Sequence, residues 1–167
     1  YFDYDANGNL IYLREPTYYG GTAGVTRNYT YDSNKNLLTE NIGGIMPVTY
    51  TYNSLGLVTS RTDALSRYLN YTYSGSNISS ISDNLGTIAT FGYTDQNLPN
   101  AVTSFTDGAS NSWTITRNAY GQITEIAPPT GSPTGSLTFE YEESSSSPEY
   151  GWLRSVTNGA GETTTVD

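Results

Sequence analysis

The sequence predicts an all-β protein built as a repetitive strip of antiparallel β-hairpins, and three observations carry that prediction. The first is composition. Among 167 residues there are 16 Tyr and 17 Gly against 4 Phe and 2 Trp, with 35% apolar and 14% charged residues. Disordered chains combine few aromatics with high charge, the opposite balance. Tyr and Thr favour strands, while Gly, Asn and Ser favour turns. The second is alternation. In Val48-Thr49-Tyr50-Thr51-Tyr52 the large side chains recur every second residue, which places them on one face of a strand and the threonines on the other. The third is self-similarity at a short period, the mark of a repeat architecture.

The repeat is aligned on an aromatic-x-Tyr pair. It reads FDYDANGNL at 2–10, YTYDSNKNL at 29–37, YTYNSLGLV at 50–58, YTYSGSNI at 71–78 and FGYTDQNL at 91–98. A degenerate copy, ITRNAYGQI, covers 115–123, and a seventh begins FEY at 139–141 and resumes as WLRSVTNGAGE after an insertion. The second aromatic falls at Tyr4, Tyr31, Tyr52, Tyr73, Tyr93 and Tyr141, with Arg117 in its place once; successive spacings are 27, 21, 21, 20, 24 and 24. The first aromatic is Tyr29, Tyr50 and Tyr71 in the best copies, Gly8 and Gly56 mark the turn, and Leu10 and Leu37 the aliphatic that follows it.

Each copy makes sense as a hairpin. A strand ends at the second aromatic, and Asn53-Ser54-Leu55-Gly56 turns the chain, Asn tolerating unusual dihedrals and Gly supplying positive φ. Leu57 to Arg61 returns as the second strand. A further turn, Asp63 to Arg67, leads to the next copy, with equivalents at 83–86, 107–110 and 158–161. About seven copies across 1–167, read as a single array, give roughly fourteen short strands. Matches to a 3.6-residue period are broken by Gly or Pro, so no helix is expected.

The stretch Asp3-Tyr4-Asp5-Ala6-Asn7-Gly8 also fits the start of an EF-hand calcium loop. The loop needs a bidentate Glu six residues after the Gly; that position is Arg14, and Glu15 is one residue too far. Nor does the carboxylate recur: the positions equivalent to Asp3 are Thr30, Thr51, Thr72, Gly92, Thr116 and Glu140. The stretch is read as a structural turn, and no metal or cofactor is expected.

The net charge of −9, with Lys35 the single lysine, argues against nucleic acid as a partner. Without Cys or His there are no disulfides, thiolate metal sites or histidine-based catalytic arrangements. Sixteen carboxylates would allow two-carboxylate hydrolysis, but no spacing selects a pair, and they mostly track turns. No phosphate-binding loop or dinucleotide fingerprint is present. An enzyme is therefore not expected. No apolar run approaches a membrane-spanning length. The chain opens on Tyr1 with no charged-then-apolar leader and reads as an internal segment of a longer protein.

Tyr4-Asp5-Ala6-Asn7-Gly8-Asn9-Leu10, Tyr29-Thr30-Tyr31-Asp32 with Leu37, and Tyr50-Thr51-Tyr52-Asn53 with Gly56 and Val58 resemble the YD-repeat, or RHS-repeat, family. The resemblance covers nearly the whole chain, and it is specific because several copies stay in phase. In that family the repeats form a long β-strip that curves and spirals into a hollow shell. Members include the cocoons around C-terminal toxins of insecticidal toxin complexes, polymorphic RHS toxins, wall-associated proteins and teneurins. The resemblance implies a non-catalytic structural segment of such a shell, enclosing or displaying a toxin or other domain, in a secreted or cell-surface parent. Its partners would be the neighbouring repeats and the enclosed domain. Lys35 in place of a turn Gly and Arg117 in place of a Tyr depart from the pattern. No self-cleaving core motif is seen, so autoproteolysis is assigned to no residue.

The alternative is an extracellular adhesion module binding a glycan or a cell-surface receptor. Its candidates are Tyr18 and Tyr19, in the insertion at 15–24, against the plainer reading of a hairpin loop packed on its neighbour. Trp113 and Trp152 are placed at alternating strand positions as packing residues. The Pro/Ser/Gly-rich stretches at 127–136 and 142–151 are read as long loops, and Glu140, Glu142 and Glu143 as a solvated cluster rather than a cation site. Exposed strand edges at the ends of an isolated strip are expected to promote dimers or swapped assemblies.

Overall fold

Strand length in this chain is set by how often a turn-forming residue interrupts the alternation. A computed structural model describes residues 1–16 and 24–166; Tyr18 and Tyr19 lie outside the described residues. Among those residues there are fifteen strands and no helix. The chain divides into two compact units, Tyr1–Gly86 and Thr87–Asp167.

The first unit is an open antiparallel sheet whose strands run in chain order. They are β1 (Phe2–Tyr4), β2 (Leu10–Arg14), β3 (Thr26–Tyr31), β4 (Leu37–Ile42), β5 (Val48–Tyr52), β6 (Val58–Thr62), β7 (Tyr68–Ser74) and β8 (Asn77–Asp83). The second unit repeats the plan with β9 (Gly86–Gly92), β10 (Ser104–Asp107), β11 (Ser112–Arg117), β12 (Ile123–Ala127), β13 (Leu137–Tyr141), β14 (Leu153–Thr157) and β15 (Thr163–Thr165). Strand β15 goes beyond the fourteen expected. It follows the Asn158 turn and pairs antiparallel with β14.

The alternation read from the sequence sets the two faces. In β5, Val48, Tyr50 and Tyr52 are half-buried while Thr49 and Thr51 are exposed. The exposed face is laced by hydroxyl pairs: Thr30 with Thr39 at 2.7 Å, Thr51 with Thr59 at 2.9 Å and Thr72 with Ser80 at 2.7 Å. Among the described residues only Ala89 and Ser155 are buried. A single sheet leaves both faces near water, so its aromatic face is screened only by the neighbouring rings. One such row crosses the second unit, where Phe91, Phe105 and Trp113 stack at ring separations of 5.7 and 5.4 Å.

The turns share one chemistry. Asp5 Oδ1 accepts from the amides of Asn7 (2.9 Å) and Asn9 (2.8 Å), and Asn9 Nδ2 donates to Asp5 Oδ2 (2.8 Å). Asp32, Asn53, Asp63, Asp107, Asn118 and Asn158 cradle their turns in the same way. An Asx side chain that stands in for a main-chain acceptor closes a five-residue turn without help from elsewhere. The Asp5 carboxylate is thus taken up by the turn. The fourth residue of each turn is left-handed: Gly8 at φ +81° and Gly56 at +75°, but also Lys35 at +68°, Ser66 at +62° and Ser110 at +67°.

Two alignments change. In the fifth copy the aliphatic position belongs to Val102, not Leu98, because the loop from Tyr93 to Thr103 carries extra residues before β10. Trp152 is not a strand residue: it lies one position before β14 and is 64% exposed.

An L-residue held left-handed is strained by about 1 kcal/mol, which glycine relieves. Ser66→Gly is expected to raise the unfolding free energy by roughly 0.5–1 kcal/mol, read as a shifted urea midpoint. An unchanged or lowered midpoint would mean that the turn does not carry this strain.

Candidate functional site: a tyrosine clasp between hairpins

The residues that recur most strictly converge on one contact. Within each hairpin the pairing slips at the same place. Thr30 faces Thr39 but Tyr31 faces Leu37; Thr51 faces Ser60 but Tyr52 faces Val58; Thr72 faces Ser80 but Tyr73 faces Ile78. The slip recurs at Tyr4, Arg117 and Tyr141. One extra residue on the returning strand forms a β-bulge there, which bends that strand.

Between hairpins the main-chain ladder is short. Strand β4 pairs with β5 only at Thr39 with Thr49 and Glu40 with Val48. Two residues past Thr39, the Leu37 carbonyl is instead taken by a side chain: Tyr52 Oη donates to it at 2.7 Å. Tyr31 Oη donates to Leu10 O at 2.9 Å, Tyr73 Oη to Val58 O at 2.6 Å and Tyr141 Oη to Ile123 O at 2.9 Å. The donor is the last strand aromatic of one hairpin, and the acceptor is the bulge aliphatic of the hairpin before it. Arg117, the apparent exception, makes the same bond, its Nη1 reaching Val102 O at 2.5 Å. Lys35, the other departure, adds a link of its own, its Nζ donating to Asn7 O in the preceding turn at 3.2 Å.

The electrostatics follow the geometry. Burial between hairpins, with the neighbouring Tyr29, Tyr50 or Tyr71 adding to it, raises the phenols of Tyr31, Tyr52 and Tyr73 above their ordinary value. They stay protonated and able to donate. The turn carboxylates move the other way. Hydrogen bonds from Asn9 hold Asp5 low, the side chain of Asn36 does so for Asp32, Arg67 for Asp63 and Asn111 for Asp107.

The structure therefore unites most residues singled out from the sequence. Tyr31, Tyr52, Tyr73 and Tyr141 are clasp donors, and Leu10 and Leu37 are acceptors. Gly8 and Gly56 serve the turns, and Tyr29, Tyr50 and Tyr71 face Glu40, Arg61 and Ile81 across their hairpins. Tyr93 is half-buried at the same repeat position. Tyr4 has the position without the burial, at 57% exposed. Sequence reasoning missed the bulge, because one extra residue in a returning strand leaves no compositional trace. Glu142 and Glu140 are engaged, Glu142 with Arg154 at 2.6 Å and Glu140 with the Ser155 hydroxyl at 2.9 Å. Among the described residues no group of three carboxylates is placed to hold a metal ion.

No protein-family model matches the chain, and no curated protein matches it. Solved structures do. A chain in the structure of the Photorhabdus luminescens Tc holotoxin pore, solved with a mutation in TccC3, aligns over 98% of this chain with a TM-score of 0.70 and 14% identity. The likeness is one of fold. The present chain spans 9% of the length of that chain.

Tyr52→Phe removes one donor and is expected to cost about 1–2 kcal/mol, since the Leu37 carbonyl loses its partner. Arg117→Leu should lose a similar amount in urea denaturation, whereas Arg117→Tyr should keep wild-type stability. Equal losses for both Arg117 variants would mean that the clasp bond is not what position 117 supplies.

Stability against pH should form a plateau with two shoulders. The turn aspartates are lowered in the folded state, so their contribution is present above the unfolded value near 3.8 and fades as pH falls through the folded ones. The clasp tyrosines are raised, so theirs is present below the unfolded value of 10.0 and fades as pH rises through the folded ones. Denaturation midpoints from pH 2 to 11 would show both, and Tyr52→Phe should flatten the alkaline shoulder.

Proposed function

We propose that this chain is a non-catalytic wall segment of a YD/RHS-type shell that encloses or displays a toxin or another domain in a secreted or cell-surface protein. The observation that carries the reading is the clasp, which within each unit joins one hairpin to the one before it through a main-chain acceptor, five times among the described residues. An array held this way grows by adding like units, since each contacts only its neighbours. The fold likeness to a chain of the Tc holotoxin pore supports the same reading. Tyrosine suits such a wall better than phenylalanine. Its ring packs on one hairpin while its hydroxyl reaches the next, and the ring tolerates a wet surface. The partners are then neighbouring repeats and the enclosed domain, and no cofactor is needed.

The test is protease protection in the full-length parent protein. Any domain enclosed by the repeats should resist a protease that digests the same domain expressed alone. Combined Tyr31→Phe, Tyr52→Phe and Tyr73→Phe substitutions should expose it. Equal cleavage of that domain in the intact parent and in isolation would sink the enclosure reading.

A further inference from the structure

The hairpin formed by β13 and β14 departs from the others. Tyr141 and Leu153, which face each other across the bulge, are 12 residues apart, where Tyr31 and Leu37 or Arg117 and Ile123 are 6 apart. The added residues form a built structure. Gly151 N donates to Glu142 O and Trp152 N to Glu149 O, both at 2.8 Å. Arg154 clamps both ends, with its Nη2 2.6 Å from Glu142 and 2.9 Å from Glu149. Gln122, in the neighbouring turn, donates from Nε2 to Gly151 O at 2.6 Å.

This scaffold sets Tyr150 against Tyr120, whose ring stands at the tip of the Asn118 turn and is 71% exposed. The ring centroids are 5.7 Å apart and the planes meet at 84°, so the two rings form a corner rather than a flat platform. Beside them is a cavity of about 190 Å³, also lined by Tyr141 and Glu143.

The polar groups around the cavity are mostly spent. Asn118 Oδ1 accepts from the amides of Tyr120 and Gln122, and its Nδ2 donates to Gln122 Oε1. Gln122 Nε2 is engaged by Gly151, Tyr141 Oη by Ile123 and Glu142 by Arg154. A sugar needs several free donors and acceptors around a flat ring, and neither is offered. What remains is the ring surface left open beside the edge-to-face contact of Tyr120 and Tyr150, whose hydroxyls bond each other, and the Glu143 carboxylate, which is in no ion pair among the described residues.

We propose that this corner binds an organic cation of the quaternary ammonium class. Its methyl groups would fill the angle between Tyr120 and Tyr150, with the ring quadrupoles and Glu143 balancing the charge. A quaternary centre has no N–H to satisfy, which matches a pocket whose side-chain amides and Glu142 are already engaged. The shared chemistry is the trimethylammonium head, whether free or on a phosphocholine lipid.

The test is an NMR titration of the purified chain with choline, following the Tyr120 and Tyr150 ring signals. Its control is 3,3-dimethylbutan-1-ol, the uncharged isostere. Saturable shifts with choline at millimolar concentration, absent with the isostere, are expected. Tyr120→Ala should weaken binding roughly 5- to 30-fold, and Glu143→Gln several-fold while leaving the aromatic corner intact. Flotation with phosphatidylcholine vesicles separates the sources: co-flotation supports the lipid head, and choline binding without it supports the free cation. Equal binding of the isostere, no saturation by 50 mM choline, or shifts from methyl β-glucoside alone would overturn the proposal.

Discussion

The fold depends on a hydrogen bond made where the main chain stops making its own. Between the successive hairpins of each unit the ladder lasts two or three residue pairs, as in β4 with β5 or β6 with β7. Beyond it the bulge bends the returning strand, and a carbonyl is left that the next strand does not reach. A tyrosine ring is long enough to cross that gap and carries a donor at its far end. The bulge and the clasp therefore belong together: the first opens the wedge between hairpins and the second fills it. In a single sheet without a deep core, contacts of this kind must supply what interior packing supplies elsewhere.

The turns relieve the strands of a second task. Each Asx residue completes its turn from within, so hairpins close locally, and the short ladder and the clasp, with side-chain links such as those of Lys35 and Gln122, join one to the next. Local closure keeps contacts close in sequence, which favours rapid formation of each hairpin. The price is a set of left-handed fourth residues, some filled by Lys or Ser. Lys35 shows how such a departure is used, since its side chain reaches the preceding turn.

Much of this was legible in the sequence because it is written in periodic side chains. Alternating Tyr and Thr gave the faces, Asp or Asn before Gly gave the turns, and phase gave the hairpins. The identity of the clasp was not legible. Tyr52 declares itself as a strand aromatic, but its acceptor is a backbone oxygen, and the aliphatic that presents it reads in the sequence as a packing residue, not as an acceptor. The fifth and seventh hairpins were misaligned in detail for a related reason. Their inserted loops move the aliphatic to Val102 and leave Trp152 outside the strand, and loop length is set by local geometry rather than by pattern. The corner of Tyr120 and Tyr150 was invisible because its two rings come from turns 30 residues apart in sequence.

The bond from Arg117 to Val102 bears on how such a chain can change over time. An acceptor that every amino acid carries places no demand on the residue that presents it. The bond itself sets no requirement on the acceptor's side chain, which is aliphatic in all five clasps because it is half-buried, and the donor needs only reach and a proton to give. Drift can then erase most of the letters while the spacing that aligns donor with carbonyl persists.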